Sequence, residues 1–306
     1  MPSITLGILS YNRPQFLVEA IESALVQTVK PEKIIIFDNG SNQEVYESIA
    51  HFIKRDVKWD HVEENRSPKY IYEKAMNECE TEFIMFLHDD DRLHSNFLEV
   101  QLAFFDKYKE LVGISCNGNL IHFNGLPLNK TISKYQNNSL NIQIYKNSVQ
   151  AAMKYASNSC IPFSPTIYRA KYVIESVLRD EEFKKCTDAV FLCDLADRGH
   201  LGYTTLPLYD CRIHPNQDSS SFPLDQLQKL EDYFFSLQCI DQNEKKLLDR
   251  YLIRRHTLRN TRRCLNLLRL WQFNKIPSLI LDSKFKFLEL FKEFILRVIK
   301  FKSQYQ

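Results

Sequence analysis

One stretch, FIMFLHDDDRL at residues 83 to 93, constrains this chain more than any other. Phe83 to Leu87 are five consecutive apolar residues with the length and the aromatic and branched content of a strand buried on both faces. They run without a turn into His88 and then Asp89, Asp90 and Asp91, so three carboxylates stand at the end of a core strand. Adjacent like charges repel, and the arrangement makes most sense if something positive arrives between them. Oxygen-rich ligand sets suit Mg²⁺ or Mn²⁺, and such a cation commonly carries a substrate's phosphates. An isolated acidic triple is more often a solvated loop. Its placement at the carboxyl end of a core strand, where open α/β sheets hold their ligands, favours a functional reading.

Upstream, the same unit repeats. Ile4 to Leu9 is a short β-rich run followed by the polar loop Ser10-Tyr11-Asn12-Arg13. Pro14 then fits the first turn of a helix reaching about Val26, with Phe16, Leu17, Ala20, Ile21, Ala24 and Leu25 on one face. Lys33 to Phe37 is a second strand ending in Asp38, and Asn39-Gly40-Ser41-Asn42 supplies turn chemistry before a helix over Gln43 to Lys54. A third unit places a strand at Val57 to Val62 and a helix at Tyr70 to Cys79. Alternation at this spacing predicts an α/β fold with a mostly parallel sheet and right-handed crossovers. On that topology Ser10 to Arg13, Asp38 and Asp89 to Asp91 meet above the same strand ends. With only seven glycines there is neither a G-x-G-x-x-G nor a G-x-x-x-x-G-K-[ST] pattern, so dinucleotide-binding and P-loop readings lose their main support.

Further on, a helix is expected at Asn96 to Tyr108 and a strand at Val112 to Cys116. Hairpins and loops should follow to Asn147, where the sequence is rich in Asn. Ser164 to Arg169 reads as a strand, Thr187 to Arg198 as a helix with Val190, Phe191, Leu195 and Ala196 inward, and Tyr203 to Arg212 as one or two short strands. Thr187 or Asp188 could cap that helix. From Leu224 the pattern is helical with few breakers.

Composition adds an asymmetry. From Lys245 to Gln306 there are 16 Lys or Arg against 4 Asp or Glu, leaving 24 against 34 in residues 1 to 244. The tail is basic and the body acidic. Lys284 to Lys302 sets Phe287, Leu288, Phe291, Phe294, Ile295, Val298 and Phe301 against Lys286, Glu289, Glu293, Arg297 and Lys300. This basic amphipathic helix either packs on the body or lies on anionic lipid, and the charge excess favours lipid. No recognisable nucleic-acid module accompanies it. Eight cysteines without a C-x-x-C pair read as reduced thiols, hence a cytoplasmic setting. MPSITLGILS lacks a basic n-region and a cleavage site, so no secretory signal is expected. The longest uncharged stretch, Leu111 to Asn129, holds four Asn, three Gly and a Pro and is no membrane span.

Residues 1 to about 220 resemble the family 2 glycosyltransferases, nucleotide-sugar enzymes of the GT-A fold. The resemblance rests on ITLGILSYNRPQFLVEAIESALVQT, IIIFDNGSNQ and FIMFLHDDD, the last similar to the family's Asp-x-Asp signature. It implies a catalytic domain over residues 1–220 and a basic helical extension over 221–306. The loop Ser10 to Arg13 and Asp38 would hold the nucleotide, with Asp38 at the base and Asp89 near the ribose. Asp90, with Asp91, would bind the Mn²⁺ or Mg²⁺ that bridges the diphosphate. Arg66 or Lys69 would contact phosphate. His88 stands where many members have the first Asp, which leaves the division of labour among the three aspartates open. TDAVFLCDLADRG resembles the Glu-Asp motif of inverting members, with Thr187 in place of Glu, so the role of base falls on Asp188. CRIHPNQDSSS resembles the closing Arg-x-His segment, from which Arg212 would face the diphosphate and His214 would join the metal or acceptor site. A lone His is more often structural than a ligand.

These parts fit transfer of a hexose-type sugar from a nucleotide-sugar, a UDP-sugar, to a hydroxyl of a glycan acceptor, with the cation taking up charge on the leaving phosphate and Asp188 taking the proton. The basic tail points to an acceptor on a polyprenyl diphosphate at the inner face of the plasma membrane, in surface-polysaccharide synthesis. A metal-dependent nucleotidyltransferase and a noncatalytic carbohydrate-binding protein are the rival readings. A haloacid-dehalogenase-type phosphatase fits worse, because its paired Asp would follow the first strand.

Overall fold

In the computed structural model, residues 2–269 are described apart from 55–56, 134–141, 158, 175, 216 and 218–222. The elements in chain order are β1 (Ile4–Ser10), α1 (Pro14–Leu25), β2 (Lys33–Asp38), α2 (Gln43–Ile53), β3 (Lys58–His61), α3 (Pro68–Asn77), β4 (Phe83–His88), β5 (Arg92–Leu93), α4 (Phe97–Lys107) and β6 (Leu111–His122). Then come β7 (Pro127–Thr131), β8 (Ile142–Tyr145), α5 (Ser148–Ala156), β9 (Thr166–Arg169), α6 (Ala170–Ile174), α7 (Asp180–Phe183), α8 (Thr187–Ala196), β10 (His200–Ile213), α9 (Leu224–Ser236) and α10 (Gln242–Arg269).

All ten strands form one sheet. Its path is β3-β2-β1-β4-β9-β6-β10-β5, with β7 on β6 and β8 on β10. The four strands β3, β2, β1 and β4 are parallel to one another, as the βα repeat requires. Strand β9 then enters antiparallel between β4 and β6. The register is what matters for function. Ser10 lies opposite Asp38 and Leu9 opposite His88, so three successive strand ends finish on one level.

Alternating side chains divide the core into two layers. Ile4, Leu6 and Ile8 face Leu17, Ala20 and Ile21 of α1, Val45 and Ile49 of α2, and Phe97 and Leu98 of α4. On the other face Ile35, Phe37, Ile84 and Phe86 meet α3, α5 and α8, together with Leu230, Phe234, Leu248 and Leu252 of α9 and α10. The helical segment after residue 221 is therefore packed, over its first half, on the same core as the sheet. The expected helix over residues 284–302 lies outside the described residues.

Two strands are longer than the sequence suggests. The expected five-residue strand at Val112 to Cys116 extends over 12 residues as β6, and the expected short strands at Tyr203 to Arg212 form one strand of 14 residues, β10. The two pair in parallel from Leu111/His200 to His122/Ile213, with irregularities around Pro207. That long-range pairing supplies hydrogen bonds to polar Asn-rich backbone whose own sequence has no clean alternation.

Candidate active site

The first loop closes over the end of β1 through Asn12, whose φ of +51° is a left-handed conformation that Asn tolerates better than most residues. Asn12 N–H donates to Ser41 Oγ at 2.9 Å, and Asn42 N–H donates back to Asn12 Oδ1 at 2.9 Å. Behind them Asp38 is fully buried. Its Oδ1 accepts from Ser41 N–H at 2.9 Å and from His61 Nδ1 at 2.8 Å. Asp38 Oδ2 and Ser10 Oγ are buried and have no hydrogen-bond partner among the described residues. Two polar atoms left so on adjacent strand ends mark a place built for a ligand.

Each aspartate of the triple has its own partner. Asp89 accepts from Tyr11 N–H at 2.9 Å and from Arg13 at 2.8 Å. Burial pushes its pKa up to about 7, against the pull of Arg13. Asp90 meets His214 Nε2 at 2.9 Å and Arg13 at 3.7 Å. Burial opposes its ionisation, but His88, His214 and Arg13 together hold its pKa below the ordinary range. Asp91 accepts from the backbone N–H of Arg212 at 3.0 Å, and burial beside Asp90 drives its pKa well up.

His88, Asp90 and Asp91 can bring one ligand atom each to within 4.8 Å of one another. Two buried carboxylates and an imidazole so placed fit a divalent cation, and the mixed nitrogen and oxygen set suits Mn²⁺ at least as well as Mg²⁺. His88 thus stands among the candidate ligands, beside Asp90 and Asp91. His214 is hydrogen-bonded to Asp90 and packs on the ring of Phe16 at 5.7 Å.

The structure buries Arg212 against the acidic loop. Its side chain is buried, with Nε donating to Asp90 O at 2.9 Å, one Nη to Phe123 O at 2.8 Å and the other to Glu19 at 2.6 Å. The ring of Phe16 covers the guanidinium plane at 4.4 Å. These contacts explain why a charge can be buried here: it is paired, and three of its five N–H donors are engaged. Arg212 is therefore a brace joining α1, the acidic loop and the turn after β6, and the expected contact with a diphosphate would fall to its two other N–H groups.

Arg66 and Lys69 lie on the rim. Arg66 is bound through its backbone, its N–H donating to Asn39 Oδ1 at 2.8 Å and its carbonyl accepting from Asn39 Nδ2 at 2.9 Å. Its side chain is exposed near Glu64 and Tyr70. Lys69, in the first turn of α3, pairs with Glu73 at 3.7 Å.

Asp188 comes from the first turn of α8. Eight of the ten residues of α8 are buried, which fixes the helix firmly. Helix capping is not what Asp188 does: the cap position is Cys186 and no side chain closes it. Asp188 is accessible to solvent, yet protein surrounds it closely enough that burial raises its pKa above the ordinary 3.8. A deep cleft gives that combination. The Tyr72 hydroxyl bonds His88 Nε2 at 2.8 Å, and burial together with the charges of Asp188, Asp90 and Asp91 pushes its pKa well up. Tyr72 thus lies within electrostatic reach of Asp188 as well as of Asp90 and Asp91.

Sequence reasoning missed Tyr72, His61 and Glu19. His61 ends β3 as Asp38 ends β2, so strand-end logic could have found it. Glu19 had no local signal, since only the fold brings it to Arg212.

A family model for glycosyl transferase family 2 matches residues 5–175, more than half of the 306-residue chain. The chain belongs to that family, and its fold is that of the GT-A structures. An uncharacterized glycosyltransferase of Rickettsia felis is 32% identical over 99 residues, 32% of this chain and 16% of that protein. The chain spans about a sixth of the length of the curated relatives it first matches. Among solved structures, Staphylococcus aureus TarS 1–349 in complex with UDP-GlcNAc superposes with a TM-score of 0.62 at 15% identity, over 83% of this chain and 72% of that one. The mannosyltransferase PcManGT of Pyrobaculum calidifontis, in complex with GDP-Man and Mn²⁺, gives 0.56 at 11% identity, over 82% and 70%. Among the described residues, no helix is long and apolar enough to cross a membrane.

Proposed function

We propose that this chain transfers a hexose-type sugar from a UDP-sugar to a hydroxyl of a glycan acceptor, with inversion at the anomeric carbon. The observation that carries the reading is the cluster of His88, Asp90 and Asp91 at the end of β4, with Tyr72 bonded to His88 and near enough to Asp188 for its charge to act on the hydroxyl. Asp38 and Ser10 receive the base, Asp89 faces the ribose, and the loop Tyr11 to Arg13 closes over the nucleotide. His88, Asp90 and Asp91, with His214 behind Asp90, would hold a divalent cation. Bound there, that cation neutralises charge on the diphosphate. Asp188 takes the proton of the attacking hydroxyl, a task suited to a carboxylate whose proton affinity is raised.

Incubation with UDP-sugars and Mn²⁺ tests the reading. Release of UDP with a product of inverted configuration, seen by NMR, is the expected result. Release of pyrophosphate from a nucleoside triphosphate would replace it with nucleotidyl transfer.

The acceptor is a glycan on a polyprenyl diphosphate, in surface-polysaccharide synthesis at the inner face of the plasma membrane. The support is the basic amphipathic sequence at residues 284–302. Removing residues 284–306 should shift the protein from membrane to soluble fractions while donor hydrolysis persists. Unaltered fractionation would defeat the membrane part alone.

A further inference from the structure

His61 ends the edge strand β3, opposite Asp38 in the register. Its ring packs at a tilt against Trp59 at 4.8 Å, and Trp59 in turn against Tyr46 at 4.8 Å, so the imidazole is held in place. A carboxylate can only accept, so His61 Nδ1 donates to Asp38 Oδ1. Ser41 N–H donates to the same oxygen. Two donors fill the lone pairs of Oδ1, and Oδ2 alone is left. The turn that presents Ser41 is closely fitted: Gly40 has φ +81°, and a Cβ there would come within 2.6 Å of Asn65 N.

We infer that His61 is a specificity-determining residue, which by occupying Asp38 Oδ1 restricts the site to a base whose pairing edge offers one ring N–H, uracil or thymine, and disfavours guanine. Uracil and thymine present N3–H between two carbonyls, matching one acceptor at Asp38 Oδ2 and a hydroxyl donor at Ser10. Guanine presents two adjacent parallel donors, N1–H and the exocyclic amine, which match the two oxygens of a carboxylate and cannot both point straight at one. With Oδ1 filled, the second donor is buried without a well-aligned partner, a loss that costs roughly tenfold in affinity. Adenine and cytosine turn a ring acceptor toward the carboxylate and are repelled. The inference rests on Asp38 being the base-reading group of the proposed glycosyltransferase site. His61 acts through Asp38 and is a positioning residue.

Calorimetry of the full-length protein with UDP, dTDP, GDP, ADP and CDP in the presence of Mn²⁺ decides it. UDP and dTDP should bind at least about tenfold tighter than the other three. His61→Ala should bring the UDP-to-GDP ratio toward one. His61→Asn, whose amide can place an N–H where Nδ1 stands, should keep it. In D38N the oxygen stays with the donors of Ser41 and His61, so the amide nitrogen faces the base and the preference should turn from UDP toward CDP. His61 is partly exposed on an edge strand, so these variants are expected to fold, and Tm confirms that they do. Equal weakening of UDP and GDP by H61A, equal affinity of the native protein for GDP, or no turn toward CDP in D38N would overturn the inference with the enzyme reading intact. Failure of every diphosphate to bind would remove both.

Discussion

The two sides of the proposed site, a donor wall at the strand ends and an acceptor wall on α8, are built on opposite plans. On the donor wall every carboxylate is tied down: Asp38 by His61 and Ser41, Asp89 by Arg13 and Tyr11, Asp90 by His214, Asp91 by the backbone of Arg212. On the acceptor wall Asp188 has no hydrogen bond to another side chain among the described residues and stands open to solvent. The difference follows from what each must do. Groups that fix a charged ligand need one geometry, and partners supply it. A group that takes up a proton needs affinity for that proton, which burial raises at Asp188 against the pull of its own backbone N–H and of His88.

The comparison breaks first at Asp188. D188N should lower sugar transfer by about 10²- to 10⁴-fold while leaving Mn²⁺-dependent UDP binding nearly intact, because a base works in the transition state and not in donor binding. Loss of both together would mean that the two walls are not independent. In the native enzyme the acid limb of kcat/KM should lie above the ordinary carboxylate value of 3.8, since Asp188 must be ionised to act. A pH profile of D188N should lack that limb.

Next in size is the brace beneath the donor wall. R212M should cost about 3 kcal/mol in urea unfolding, because Glu19 loses a buried partner and two backbone carbonyls lose their donors. Lys cannot replace it, having no planar fork to reach Asp90 O, Phe123 O and Glu19 at once. Asp90→Ala should weaken Mn²⁺-dependent donor binding by at least about tenfold, the scale on which even groups behind a metal's own ligands act. Calorimetry without the metal should show little difference between D90A and the native chain.

The smallest effect lies away from the cleft. His94, Arg92 and Asn119 outweigh burial at Asp210 and hold its pKa at about 2. A folded pKa below the unfolded one contributes stability that is present above about pH 4 and is lost as pH falls toward 2. D210N should therefore be less stable than the native chain at pH 7, and the gap should close on acidification. A constant gap would show that the contacts of Asp210, not its charge, stabilise β5 against β10.

Legibility in the sequence tracks how local the cause is. The first four strands, their helices and the level of Ser10, Asp38 and His88 could be read because apolar runs and turn residues sit side by side in the chain. The expectation for β6 and β10 fell short because their length comes from pairing with each other across some 90 residues. Arg212 shows the same limit at one residue. Its place in an Arg-x-His segment gave no sign of the brace it forms, because Glu19, Phe123 and Phe16 come from two distant elements.

Taken alone, the order of residues determined that carboxylates would gather at the ends of parallel strands, since hydrophobic period and charge position are properties of short stretches. Only the folded chain decided which of those charges are neutralised, by whom, and which single acceptor at Asp38 is left over. Hydrogen-bond partners are chosen by distance in space, and a residue's neighbours there are set by packing that no short window of sequence contains.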